Sequence, residues 1–174
     1  MINKLKEAEK FLPELIMMPD LWNTLNVDYF PPKVERLWMQ YDKEHRLFIH
    51  VIHPTDEYCL FHKHRWEGAF KMLRGSYEMG LSMSEKEVTN EEAHALPVVA
   101  KFIIAPGTYY EMTYTHGLHY VRPIGEPSLS LMMTGNLYPE VRTDSLDRDL
   151  QPLSDQRKRE ILLDIFIELN EKRK

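Results

Sequence analysis

The chain has 174 residues, 43% hydrophobic and 28% charged, with a formal net charge of -5. That length suffices for one domain with a substantial core, and the acidic balance, with no basic stripe, argues against a nucleic-acid binder driven by phosphate neutralisation. The single cysteine, Cys59, excludes an intrachain disulfide framework and fits a reducing compartment; with no apolar run near the ~20 residues that span a bilayer and no visible secretory leader, a cytoplasmic protein without membrane or nucleic-acid partners is expected.

Residues 2–17 read as helical, because Ile2, Leu5, Ala8, Leu12, Leu15 and Ile16 fall near one stripe. Pro13 interrupts the pattern and predicts a break or kink. A second short segment, Leu21 to Leu25, follows Pro19-Asp20, and Pro31-Pro32 punctuates entry into a sheet. Val34 to Gln40 alternates as a strand, then a polar turn leads to a second strand from Arg46 to His53. There Leu47, Ile49 and Val51 share one face, and Phe48, His50 and Ile52 the other. His50 and His53 read as surface or rim groups.

An alternating strand covers Ala69 to Leu73, and Arg74-Gly75-Ser76-Tyr77 predicts a hairpin turn into a strand reaching Met83. Ser84 to Ala95 carries Glu85, Glu87, Glu91 and Glu92 and reads as a solvated loop or hairpin. Pro97 to Ile104 and Thr108 to Tyr114 are strands on either side of an Ala105-Pro106-Gly107 turn, and Gly117–Pro123 and Pro127–Gly135 complete the set. Many short strands separated by turn signals indicate an all-β barrel or sandwich. Tyr138 to Pro152 is a polar loop. Ser154 is placed to cap a last helix, whose apolar stripe is Ile161, Leu162, Ile165, Phe166 and Leu169.

Chemistry concentrates at His62-Lys63-His64. Side chains at i and i+2 of an extended segment point the same way, so these two imidazoles converge. A divalent transition metal calls for such nitrogen ligands on a rigid element. A third ligand is needed. The candidates follow the Pro-Gly turn: His119, with His116, three residues earlier, as its substitute.

The order of motifs resembles the cupin family across roughly residues 46–138: a His-x-His strand, a glycine turn, a Pro-Gly turn, and a later histidine. The resemblance implies a double-stranded β-helix, the jelly-roll barrel, with flanking N- and C-terminal helices. Residues 1–32 would then be a helical segment packed on the barrel, 33–138 the barrel, and 139–174 a loop and amphipathic helix. Many cupins add a glutamate after the histidine pair; here Gly68 stands where it would be expected and Glu67 is offset, which leaves a neutral three-histidine site.

That set resembles the thiol dioxygenases within the superfamily, of which cysteine dioxygenase is the nearest example. Cys59-Leu60-Phe61-His62-Lys63-His64 with Phe70-Lys71-Met72-Leu73-Arg74-Gly75 is similar to one half of that pattern, and His119-Tyr120-Val121 with Glu126 to Leu131 to the other. The resemblance implies Fe(II), with Zn, Ni or Mn as alternatives, held by His62, His64 and His119. It implies that Arg36 grips a substrate carboxylate, that Phe70 and Met72 line the substrate site, and that Tyr138 supplies a catalytic phenol. Ala69 lies where some members carry a cysteine crosslinked to that tyrosine. The expected activity is oxidation of a small thiol or related small molecule. A cupin that binds a small ligand or metal without turnover is the alternative, and a metal-free pocket like that of the sugar-nucleotide epimerases is a third reading that lacks its histidine–aspartate pair. Dimerisation through a sheet edge or the terminal helices is a hypothesis that a monomeric mass would reject.

Overall fold

A computed structural model of the chain describes residues 1–64, 66–84, 90–112, 117–137 and 150–171. Nine strands form two antiparallel sheets among these residues. The larger has the order β1 (Asn23–Val27), β2 (Val34–Gln40), β3 (Arg46–Ile52), β9 (Ser128–Leu137), β4 (Trp66–Arg74), β7 (Tyr109–Met112); the smaller has the order β6 (Ala100–Ile104), β5 (Tyr77–Met83), β8 (Gly117–Pro123). The sheets pack as a β-sandwich with flanking helices. Ile52 and Met72 of the larger meet Tyr77, Met79, Ile104 and Val121 of the smaller in one buried cluster.

The alternation of each strand decides which side of the sandwich it feeds. In β3, Leu47 and Ile49 face outward, into a core shared with Leu5, Ala8, Leu12 and Ile16 of α1 (Ile2–Lys10) and α2 (Leu12–Ile16) and with Ile161, Leu162 and Ile165 of α4 (Asp155–Glu171). Phe48 faces inward with Phe70 and Met132. The helices therefore cover the outer face of the larger sheet and leave its inner face to the site.

The expected break falls at Phe11, and Pro13 sits in the first turn of α2, because a proline without an N–H is tolerated there and disrupts a helix interior. Other expectations are corrected. Residues 23–27, assigned from sequence to a helical segment, are an edge strand paired with β2. Asn90–Ala95 is a short helix, α3, within the stretch expected as a loop or hairpin.

The turn after Arg74 is a corner between sheets and makes no hairpin: β4 pairs with β9 and β7, while β5 pairs with β6 and β8. Gly75 takes φ +71 there, and a Cβ on it would stand 3.0 Å from the Pro127 carbonyl oxygen and from Ser128 Cα. Both the positive φ and the close backbone require glycine. Gly107, φ +86, takes the corresponding place where the chain passes from β6 back to β7.

Ser154 caps α4 as expected, its Oγ accepting the Arg157 N–H at 3.1 Å. Phe166, placed in the buried stripe by the sequence reading, is 41% exposed; the stripe runs through Ile161, Ile165 and Leu169, and Phe166 lies about 100° round the helix from Ile165. Glu35, buried on the outer side of β2, receives Arg157 Nε at 2.9 Å and Nη2 at 2.7 Å, with His53 Nε2 at 2.8 Å from the same carboxylate. This ion cluster ties α4 to the sheet. Among the described residues no helix is long and apolar enough to cross a membrane.

Candidate functional site

His62 and His119 sit opposite each other in an isolated antiparallel bridge between the chain preceding β4 and strand β8. The N–H of His62 donates to the His119 carbonyl at 2.9 Å, and the N–H of His119 to the His62 carbonyl at 3.1 Å. Directly opposed residues of an antiparallel pair project to the same side, and their ring centroids lie 4.6 Å apart. The sequence reading placed His62 and His64 in a regular strand. The segment is instead extended and anchored by this one bridge, and β4 begins only at Trp66. The i, i+2 relationship survives: the His62 and His64 rings are 5.4 Å apart, and those of His64 and His119 are 4.8 Å apart.

One nitrogen from each ring falls within 4.8 Å of the others, and the three side chains could hold a metal ion. His64 Nε2 and His119 Nε2 are 2.7 Å apart. Metal–nitrogen bonds of about 2.0–2.1 Å place ligand nitrogens roughly 3.0–3.4 Å from one another, so sub-ångström to ångström-scale adjustments bring the set to coordinating geometry. His62 Nδ1 faces the Leu60 carbonyl at 3.3 Å; a proton on that nitrogen leaves Nε2 with its lone pair free, the usual way a second hydrogen bond orients a ligating imidazole. His119 Nδ1 is buried and has no hydrogen-bond partner among the described residues.

The surroundings keep the rings neutral. Burial pushes His64 down to about 3, with His62 and the Arg36 guanidinium adding to the effect. Burial also lowers His119, helped by the other two imidazoles, and lowers His62, against the pull of its bond to Leu60. His62 is the outermost of the three and His119 the innermost. Neutral imidazole is the form that ligates a cation.

Arg36 reaches this interior from β2. Its Nε is buried with no partner among the described residues, and its guanidinium lies 5.7 Å from the Phe48 ring centroid. Burial lowers it to about 10, Tyr29 opposes the shift, and Arg46 contributes to it; it remains a cation at neutral pH. Among the described residues, no carboxylate is among the groups acting on Arg36, His50 or the three clustered histidines.

Phe70 borders the imidazoles, edge-on to His64 at 5.6 Å and tilted to His119 at 6.4 Å, and stacks on Tyr110 at 4.6 Å. Met72, two residues on, is fully buried in the apolar cluster with Ile52, Tyr77 and Val121. A side chain at Gly68 would meet the Phe70 ring at 3.1 Å; the ring occupies the space a glutamate ligand would need. Glu67 lies on the opposite face of β4, its carboxylate against Gly135. Tyr138, the expected catalytic phenol, and His116, the substitute ligand, lie outside the described residues.

Sequence reasoning missed His50. It is 6% exposed, faces inward, and its Nε2 has no partner among the described residues. The signal was present: His50 shares its strand face with Phe48 and Ile52, both buried.

No family model matches the sequence, and no curated protein resembles it in sequence. The chain is similar in structure to KdgF from Halomonas sp., at 16% identity over 72% of this chain and 91% of that one, with a TM-score of 0.44. It is also similar to hydroxypropylphosphonic acid epoxidase from S. wedmorenis, at 15% identity over 67% of this chain and 56% of that one, with a TM-score of 0.49. A third likeness is to the DMSP lyase DddQ from Ruegeria pomeroyi DSS-3, at 17% identity over 58% of this chain and 47% of that one, with a TM-score of 0.39. Similarity this low leaves the chemistry to the residues of the site.

Proposed function

We propose that this chain is a metal-dependent cupin whose ion is held by His62, His64 and His119, and that it is an Fe(II) dioxygenase acting on a small thiol or related molecule. The observation that supports the reading is the convergence of three imidazoles, from the exposed His62 to the buried His119, contributed by two distant parts of the chain. The sheet crossings at Gly75 and Gly107 agree with a jelly-roll path.

An iron ion bound by three neutral ligands would retain its full 2+ charge and open positions for a thiolate and O₂. The protein's own contribution is to bind and orient. Arg36 offers a buried guanidinium to a substrate carboxylate, and burial strengthens such a contact. Phe70 and the indole of Trp66, whose ring lies 6.2 Å from His64, wall the site and exclude water. Met72 closes the apolar end, and Tyr138 is proposed as the phenol that hydrogen-bonds the reacting group. Ligand sites are commonly built in this way, mostly apolar with a few convergent polar groups.

The test is oxygen consumption by Fe(II)-loaded protein, purified without a histidine tag, against small thiols with and without a carboxylate. The reading requires thiol-dependent uptake that disappears in His64→Ala. Tight metal binding without uptake for any thiol would favour the alternative, a cupin that binds its ligand or metal without turnover.

A further inference from the structure

The interior face of the larger sheet carries a polar row that neither the imidazole cluster nor the apolar core uses. Arg36, His50 and Ser130 are register partners on the adjacent strands β2, β3 and β9, so their side chains line up on one face. His50 is 6% exposed and Ser130 2%. Arg36 Nε and His50 Nε2 are both shut off from solvent with no partner among the described residues. A buried donor left unsatisfied costs about 1–3 kcal/mol, more for a charged group. Two such buried nitrogens side by side, one on a cation, with no carboxylate among the described residues acting on either, are what an absent anionic group would satisfy.

We infer that His50 and Arg36 jointly hold the anionic end of a small ligand, with the His50 N–H as the second donor that fixes the orientation of that end beside the three-histidine cluster. This deepens the proposed function and rests on reading the interior as a ligand site. It assigns His50 a role in contacting ligand, and it sets the ligand class. A guanidinium fork with an imidazole beside it on the same sheet face matches the two oxygens of a carboxylate.

The experiment titrates propionate, with propionamide as the uncharged control, into protein carrying ¹⁵N-labelled histidine, both metal-free and loaded with Zn(II). The expected result is a saturable shift of the His50 Nε2 resonance with propionate and none with propionamide. His50→Phe should weaken propionate binding by at least about tenfold, the scale of one hydrogen bond to a charged group, and His50→Gln, which keeps an N–H donor, should recover most of it. Zinc stoichiometry should be the same in both variants. An unmoved His50 resonance in the wild-type protein, or equal affinity for propionamide, overturns the inference even if His50→Phe fails to fold. Loss of zinc binding with the propionate shift retained would overturn the metal reading and leave this one standing.

Discussion

His62 and His119, far apart in the chain, each donate a backbone hydrogen bond to the other, and that reciprocal pair sets how the two imidazoles face each other. The two rings share a side because their backbones are locked in register by this bridge. His64 follows two residues on, in the extended segment that leads into β4. Backbone pairing thus brings the three imidazoles together.

Removing Arg36 should separate function from stability. Its guanidinium is buried without a carboxylate partner among the described residues, and replacing buried charge by an apolar side chain of similar volume is often neutral or stabilising. Arg36→Met should leave the urea midpoint unchanged or raise stability by about 1 kcal/mol, while abolishing carboxylate binding. A loss of several kcal/mol in urea unfolding would show that Arg36 has a structural partner.

The corner at Gly75 should tolerate no side chain. Gly75→Ala must hold φ near +71 with its Cβ 3.0 Å from two backbone atoms, and we expect a loss of about 1–3 kcal/mol by thermal or denaturant unfolding. An unchanged midpoint would mean that the corner can rearrange.

Acid should loosen α4 first. Burial alone would raise the Glu35 carboxyl, but its bonds from Arg157 and His53 outweigh this and hold it at about 2. A carboxyl lowered in the folded state stabilises fully above its unfolded value near 4.5 and loses that contribution as pH falls towards 2. With Arg157 a third exposed, the contribution is on the order of 1–2 kcal/mol after allowance for solvent screening. Glu35→Gln should remove the pH dependence of stability in that window; the same acid slope in the variant would assign it to other carboxylates.

The β-rich sandwich and the His62–His64 pair were legible because both rest on local periodicity, whereas His119 was reached through the family resemblance. Alternation marked most of the strands, and His62 and His64 share a face by spacing alone. What was not legible depends on which strand pairs with which. Arg74-Gly75-Ser76-Tyr77 has hairpin composition, yet its strands join different sheets, a choice made by the packing of β9 against β4. The Asn23–Val27 strand has little apolar character and exists because β2 offers it an edge. His50 was read as a rim group on its residue type, when its strand parity with Phe48 and Ile52 already pointed inward. Phe166 was read into the buried stripe, but the helix turns it away from the core.

The most direct test of the account is a Co(II) titration of the metal-free protein, purified without a histidine tag and followed by visible absorption. The account requires one tightly bound equivalent with nitrogen-ligand d–d bands, absent in His119→Ala and His64→Ala variants that remain folded by circular dichroism. Saturable Co(II) binding that persists unchanged in those variants, or no binding in the wild-type protein, would contradict it.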